Sequence, residues 1–183
     1  ADEQAEIDDL TAVAEEATRA VEEYIEEHAV EDGLLADAMD DDGVTPESIP
    51  IAVTITKQGD ALALDFSGSG PQCAGDINVV YFALLATVYY ALKAALDPSI
   101  PANSGFYRAI AVTAPEGSIV NPRRPAPVWA RHLCGHYLPP VIFSALAAVI
   151  RKRVIADCGS PLWNVYFQGR QRDGRPFIKM FFM

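Results

Sequence analysis

The sequence predicts an α+β fold: an N-terminal amphipathic helix, antiparallel strands packed on a buried apolar helix, a further helix and a C-terminal hairpin. Three observations predict it. Residues 7–25 carry apolar side chains at helical spacing, residues 49–66 alternate apolar and polar side chains about a short Gly-containing linker, and residues 77–96 are apolar nearly all round. With 183 residues, half of them hydrophobic, the chain is long enough to bury a core and does not have the composition of a disordered protein.

In the first helix Ile7, Leu10, Ala14, Ala17, Val21 and Tyr24 form one stripe, and Glu and Asp fill the other face. Ala14 and Ala17 allow close approach of a partner helix, and Gly33 offers a left-handed stop. The predicted organisation is an acidic helical segment over 1–33 and an α+β domain over 34–183. Between Ala1 and Ser48 eighteen acids face the single base Arg19, a local net of −17, whereas the remainder carries +6. Such a head repels phosphates, which argues against its binding nucleic acid. A solvated helix face is the ordinary interpretation; docking of a basic partner and adaptation to high salt are the others.

Asp40, Asp41, Asp42 and Gly43 lack the alternating carboxylates and distant Glu of a calcium-binding EF-hand. They predict a turn in which Asp side chains bond nearby amides. Strands follow over Ile49–Lys57 and Ala61–Phe66, joined through Gln58-Gly59-Asp60. The segment SGSGPQCAG then leads to a helix capped by Asp76 or Asn78. A strand, Gly-rich loop and helix in succession can cradle an anion, but the P-loop and dinucleotide spacings are absent, and a flexible connector is the simpler expectation. The helix over 77–96 must be enclosed if it is apolar all round, and Asp97-Pro98 ends it. Its apolar run, Val79 to Leu92, is too short for a bilayer and is bracketed by Asp76 and Lys93.

Residues 106–114 alternate as an extended segment, Pro115-Glu116-Gly117-Ser118 predicts a turn, and a strap spaced by Pro122, Pro125 and Pro127 follows. Prolines there forbid helix and disfavour a central strand, so the strap is expected to hold its neighbours in place. A helix opens at Pro139-Pro140 and closes at Arg151, Lys152 and Arg153, cations suited to a helix C-terminus. Strands over Leu162–Gln168 and Pro176–Met183 flank Asp173-Gly174. The last segment, PFIKMFFM, is apolar with no polar tail, and the chain is expected to be part of something longer. Three cysteines, Cys73, Cys134 and Cys158, with no CxxC pair and no signal-peptide pattern, predict a reduced, cytoplasmic protein without a disulfide framework.

Chemistry-bearing groups concentrate in Arg131-His132-Leu133-Cys134-Gly135-His136. An extended backbone would aim His132, Cys134 and His136 to one side, whereas a helix would bring only the histidines together. Zinc binding lacks an evident fourth ligand. The preferred roles are hydrogen bonding or capping by the histidines, or a contact to a substrate anion by Arg131 and His132. Cys134 beside imidazoles could be a nucleophile; a half-buried structural thiol is the simpler expectation. Asp65 at a strand end is an acid candidate, and capping of the following Ser/Gly loop is an equal alternative. The catalytic candidates are therefore Arg131, His132 and Asp65, with no metal ligand or cofactor-binding residue assigned.

Read in order, DDDGV (40–44), DFSGSGPQ (65–72), VYYAL (88–92), DPSIPANSGFYRAIAV (97–112), APEGSIVNPRRPAPV (114–128) and RVIADCGSP (153–161) resemble the hydantoinase B / 5-oxoprolinase / acetone carboxylase alpha-subunit family. The resemblance implies ATP-dependent opening of cyclic amides such as hydantoins or 5-oxoproline. The alternatives are carboxylation of a small ketone, or a non-catalytic assembly module. It also implies an ATP-binding A-type subunit or region as partner, with ATP/Mg and a divalent metal in the complete enzyme. The family's His/Asp metal motif normally lies upstream of these segments and has no match here. The resemblance thus assigns this chain to the middle of a longer subunit, incomplete alone, and transfers no catalytic residue.

Overall fold

A computed structural model describes residues 12, 15, 19, 33–58, 61–147, 150, 152–154 and 164–182. In the acidic segment Ala12, Glu15 and Arg19 are helical and exposed. The predicted apolar stripe of that segment, the Gly59-Asp60 turn and Cys158 lie outside the described residues.

A four-stranded sheet runs in the order β1 (Gly33–Met39), β2 (Ile49–Gln58), β3 (Ala61–Asp65), β4 (Ile110–Thr113). β1 and β2 are antiparallel with Met39 opposite Ile49, β2 and β3 are antiparallel with Gln58 opposite Ala61, and β3 and β4 are parallel with Leu62 opposite Ile110. The β2–β3 pair is as the alternation predicts. β1 is a correction: Gly33 opens a strand where a helix stop was expected. Its sequence LLADAM has no clean period of two, so strand pairing with β2 decides its conformation.

Helix α1 (Tyr81–Ala95) buries Leu84, Val88, Ala91, Leu92 and Ala95. The expectation that it is enclosed on all sides fails: Phe82 is 82% exposed and Tyr90 63%. These two lie eight residues apart, a spacing that returns to one helix face. Neither Asp76 nor Asn78 caps the helix, because its N-cap is Val80, without a side-chain bond. At the other end Lys93 Nζ donates to the carbonyls of Pro98, at 2.6 Å, and Ile100, fixing the exit loop.

Residues 106–114 are only partly extended. Asn103 accepts hydrogen bonds from the amides of Gly105 and Phe106 and caps a short helix, α2 (Ser104–Arg108), before β4 begins. That turn buries Phe106 edge-on against Tyr89, with ring centroids 6.4 Å apart. Helix α3 (Arg131–Gly135) precedes α4 (Leu138–Ala147), whose first turn contains Pro139 and Pro140. α4 packs against α1, β1 and β2. The core between sheet and helices includes Ile51, Val53, Leu62, Leu64, Leu84, Leu92, Leu138 and Ile142, all essentially inaccessible. Each such side chain contributes about 1.5–3 kcal/mol of burial. The chain ends in a separate antiparallel hairpin, β5 (Asn164–Arg170) and β6 (Pro176–Phe182), with Gly174 at φ +85° in its turn. Among the described residues no helix is long and apolar enough to cross a membrane.

Candidate functional site

The Gly-rich segment after β3 and the proline strap after β4 are laced together. Phe66 N donates to Thr113 O, Ile119 N to Gly70 O, Gln72 N to Gly117 O and Val79 N to Ile119 O, at 2.8–2.9 Å. Gln72 Oε1 accepts from Arg123 N at 2.7 Å, and Asp76 O accepts from Ala130 N at 2.8 Å. The predicted turn at Pro115–Ser118 forms, with Gly117 at φ +89°, and Ser118 donates to Pro115 O through both N–H and hydroxyl. The strap contains one cis peptide, Arg124-Pro125. It holds its neighbours as its prolines predict, and the Gly-rich loop is a fixed structure in place of the flexible connector expected.

Two polar side chains organise this region. Asn78 is fully buried; its Oδ1 accepts from Cys73 N at 2.9 Å, and its Nδ2 faces the carbonyls of Cys73, Gly75 and Pro127 at 2.9–3.0 Å. One amide thus ties loop to strap. Asp42, also buried, accepts from Val44 N, Thr45 N and Thr45 Oγ1 through Oδ1, and from Gly75 N at 2.9 Å through Oδ2. The Thr45 and Gly75 amides, followed by Val44, hold this carboxyl well below the usual carboxylate range against the opposing effect of burial. The predicted Asx-type turn is therefore present, and it also clamps a distant loop. Gly75 passes so close that a Cβ there would lie 2.0 Å from Asp42 O. Nothing in the local sequence marks Asn78 or the long-range bond of Asp42, since both depend on segments far apart in the chain.

The predicted site residues lie at the margins of this region. Asp65 ends β3, where its Oδ1 accepts from Ser67 N and Ser67 Oγ at 2.9 and 2.6 Å, the capping role set beside its acid role. Arg131 and His132 open α3 directly after the strap, and Arg131 Nη1 donates to Val128 O at 3.1 Å. The structure brings Arg131 and His132 together on one helix. Because α3 is helical, Cys134 points into the core while His132 and His136 remain at least partly accessible, so the three-residue cluster of an extended backbone does not form. Burial pushes the Cys134 thiol up to about 12, and burial followed by the charge of Asp42 raises that of Cys73. Cys134 is fully buried, where half-burial was expected, in keeping with the structural thiol set beside the nucleophile.

The family's nucleotide does not fit the Gly-rich loop. The amides of Ser67, Ser69, Gly70, Gln72, Cys73 and Gly75 are all engaged by partners within the chain, which leaves them unable to cradle a phosphate. Among the described residues no group of three or more His, Cys, Asp or Glu could hold a metal ion.

With the fold in view, comparison with known proteins is decisive. The sequence matches the family model Hydantoinase B/oxoprolinase over residues 5–183. The chain belongs to that family. It is 33% identical over 150 residues to an uncharacterized Methanocaldococcus jannaschii protein, covering 81% of this chain and 27% of that one. It is 29% identical over 151 residues to a Pseudomonas protein named for the B component of a D-/L-hydantoinase, covering 78% and 25%. The fold matches that of the ATP-dependent caprolactamase of Pseudomonas jessenii with a TM-score of 0.72 at 23% identity, covering 92% of this chain and 29% of that one. The chain therefore spans about a quarter of the length of these relatives.

Proposed function

We propose that this chain is an internal domain of an ATP-dependent cyclic-amide hydrolase that opens hydantoin or oxoproline rings and is incomplete on its own. The observation that carries this reading is the family match across nearly the whole sequence, together with the likeness to the B component of a D-/L-hydantoinase. On this reading an A-type region binds ATP and Mg and activates the substrate oxygen. The present domain supplies scaffold and one wall of the site. The engaged amides of the Gly-rich loop support placing the nucleotide elsewhere.

Arg131 and His132 are the residues suited to face substrate. The first offers a planar cation for a developing anion, and the second an imidazole that can hydrogen-bond the substrate. Asp65 is suited to hold the loop edge through Ser67 or to accept a proton there. The complete enzyme would act in the cytoplasm.

The test is turnover of hydantoin or 5-oxoproline with coupled ATP hydrolysis. The 183-residue chain alone is expected to be inactive, and the full subunit with its ATP-binding partner active. Ring opening by the isolated chain would refute the proposal, and turnover dependent on a ketone and bicarbonate would assign the carboxylase branch instead. In the complete complex Arg131→Ala is expected to lower kcat/KM about 10–100-fold, the equivalent of one charged hydrogen bond.

A further inference from the structure

The β5–β6 hairpin carries exposed large apolar residues on both of its faces, with Gln168 on one and Lys179 on the other as their polar neighbours. On one face Tyr166 and Met180 are direct partners across the strands, and with Gln168, Ile178 and Trp129 they line an open groove of about 400 Å³, the Trp129 ring centroid 6.4 Å from that of Tyr166. On the other, Phe167 and Phe181 meet edge to face at 5.6 Å. Ile178 is 72% exposed, Trp129 64% and Phe167 56%.

A hairpin at a protein surface shows apolar residues on one face and polar ones on the other. Strands apolar on both faces belong to sheets covered on both sides. Two strands alone are marginal in water, and an exposed apolar edge invites pairing. Among the described residues β5 and β6 pair only with each other. The relatives matched are about three times its length, since 150 aligned residues make up 27% of one and 151 make up 25% of another, and the family match continues through β6.

We propose that β5 and β6 are two strands of a larger sheet, completed by further polypeptide of the full-length subunit that pairs along the hairpin edge and covers both apolar faces. This rests on the proposed placement of the chain within a longer subunit but not on the reaction, and its test needs no turnover.

The experiment measures hydrogen exchange of the β5 and β6 amides in the 183-residue chain and in the full-length subunit. Exchange slower by about 100-fold or more in the subunit is the expected result. Equal exchange in both forms would overturn the proposal. So would a dimer of the short chain that already gives the protection of the full subunit, which would make a second copy the occupant. A gene product that stops at Met183 and stays monomeric would overturn it as well. As a second measurement, Ile178→Asp is expected to leave the Tm of the short chain within about 1 °C and to lower that of the subunit by several degrees. An equal response in the two forms would count against the inference.

Discussion

The laced loop–strap region and the uncovered apolar surfaces, on β5–β6 and on one face of α1, satisfy opposite requirements. In the first, polar groups from three distant segments meet through Asn78 and Asp42, beside apolar side chains that are already enclosed, Phe66, Val79, Ile119 and Val120 among them. In the second, large apolar side chains stand in water, and the side-chain bonds of the hairpin gather at its turn, where Asp173 pairs with Arg175 and Arg170 donates to Gly174 O. A buried polar network is stable when each donor finds its acceptor, so it needs nothing from outside. An apolar face has no internal way to be satisfied and needs a cover. The laced region should therefore behave as a finished part of the molecule, and substitutions should be costly there and cheap on the open surfaces.

Gly75→Ala should have the largest effect. A methyl group 2.0 Å from Asp42 O meets backbone, which has no rotamer to yield, so the two loops must separate. A loss of about 3 kcal/mol or more is expected in urea denaturation. Asn78→Ala follows at about 2–4 kcal/mol, since it leaves the Cys73 amide and up to three carbonyls, that of buried Gly75 among them, without this partner. Asn78→Asp keeps the acceptor and loses the donors, and should recover little of this. If either substitution proves nearly neutral, the lacing does not hold the region together.

The acid limb separates Asp42 from the other carboxylates. Its acidity is raised on folding by the Thr45 and Gly75 amides, so the group binds protons more readily when unfolded. Its stabilisation is complete above the unfolded value, about 3.9, and is lost as pH falls toward the depressed folded value. Asp42→Asn should lower Tm by several degrees at pH 7, and the gap to the wild type should narrow steadily below about pH 4. Parallel Tm curves down to about pH 2 would show that the carboxylate has no special partner.

These two regions also differ in how far the sequence announced them. Period-two alternation sufficed for β2 and β3, the hairpin was placed by two segments flanking Asp173-Gly174, and the Asp40–Gly43 and Pro115–Ser118 turns follow from local chemistry. β1 was not legible because LLADAM takes its conformation from pairing with β2. The N-terminal half of 106–114 misled because a pattern fit for a strand was overridden by the Asn103 cap and by burial of Phe106. For the site, the placement of Arg131 after a rigid strap was readable from the prolines. The Asn78 and Asp42 links were not, because a hydrogen bond between residues 49 or 33 positions apart leaves no periodic trace.

Helix α1 carries both situations on one element and gives the smallest expected effect. Composition suggested burial on every side, yet Phe82 stands in solvent two residues from the inaccessible Leu84. Truncating an enclosed Phe to Ala costs about 3–5 kcal/mol. At an open helical position the same change removes little packing, here an edge contact with Tyr81 at 6.3 Å, and installs the best helix former. Phe82→Ala should therefore leave the stability of this chain within about 0.5 kcal/mol, and a slight gain is the favoured sign. Leu84→Ala, on the opposite side of the helix, should cost about 2–5 kcal/mol in the same urea experiment. A large loss at Phe82 would mean that this face is covered in solution, and α1 would then join the laced region as a finished surface.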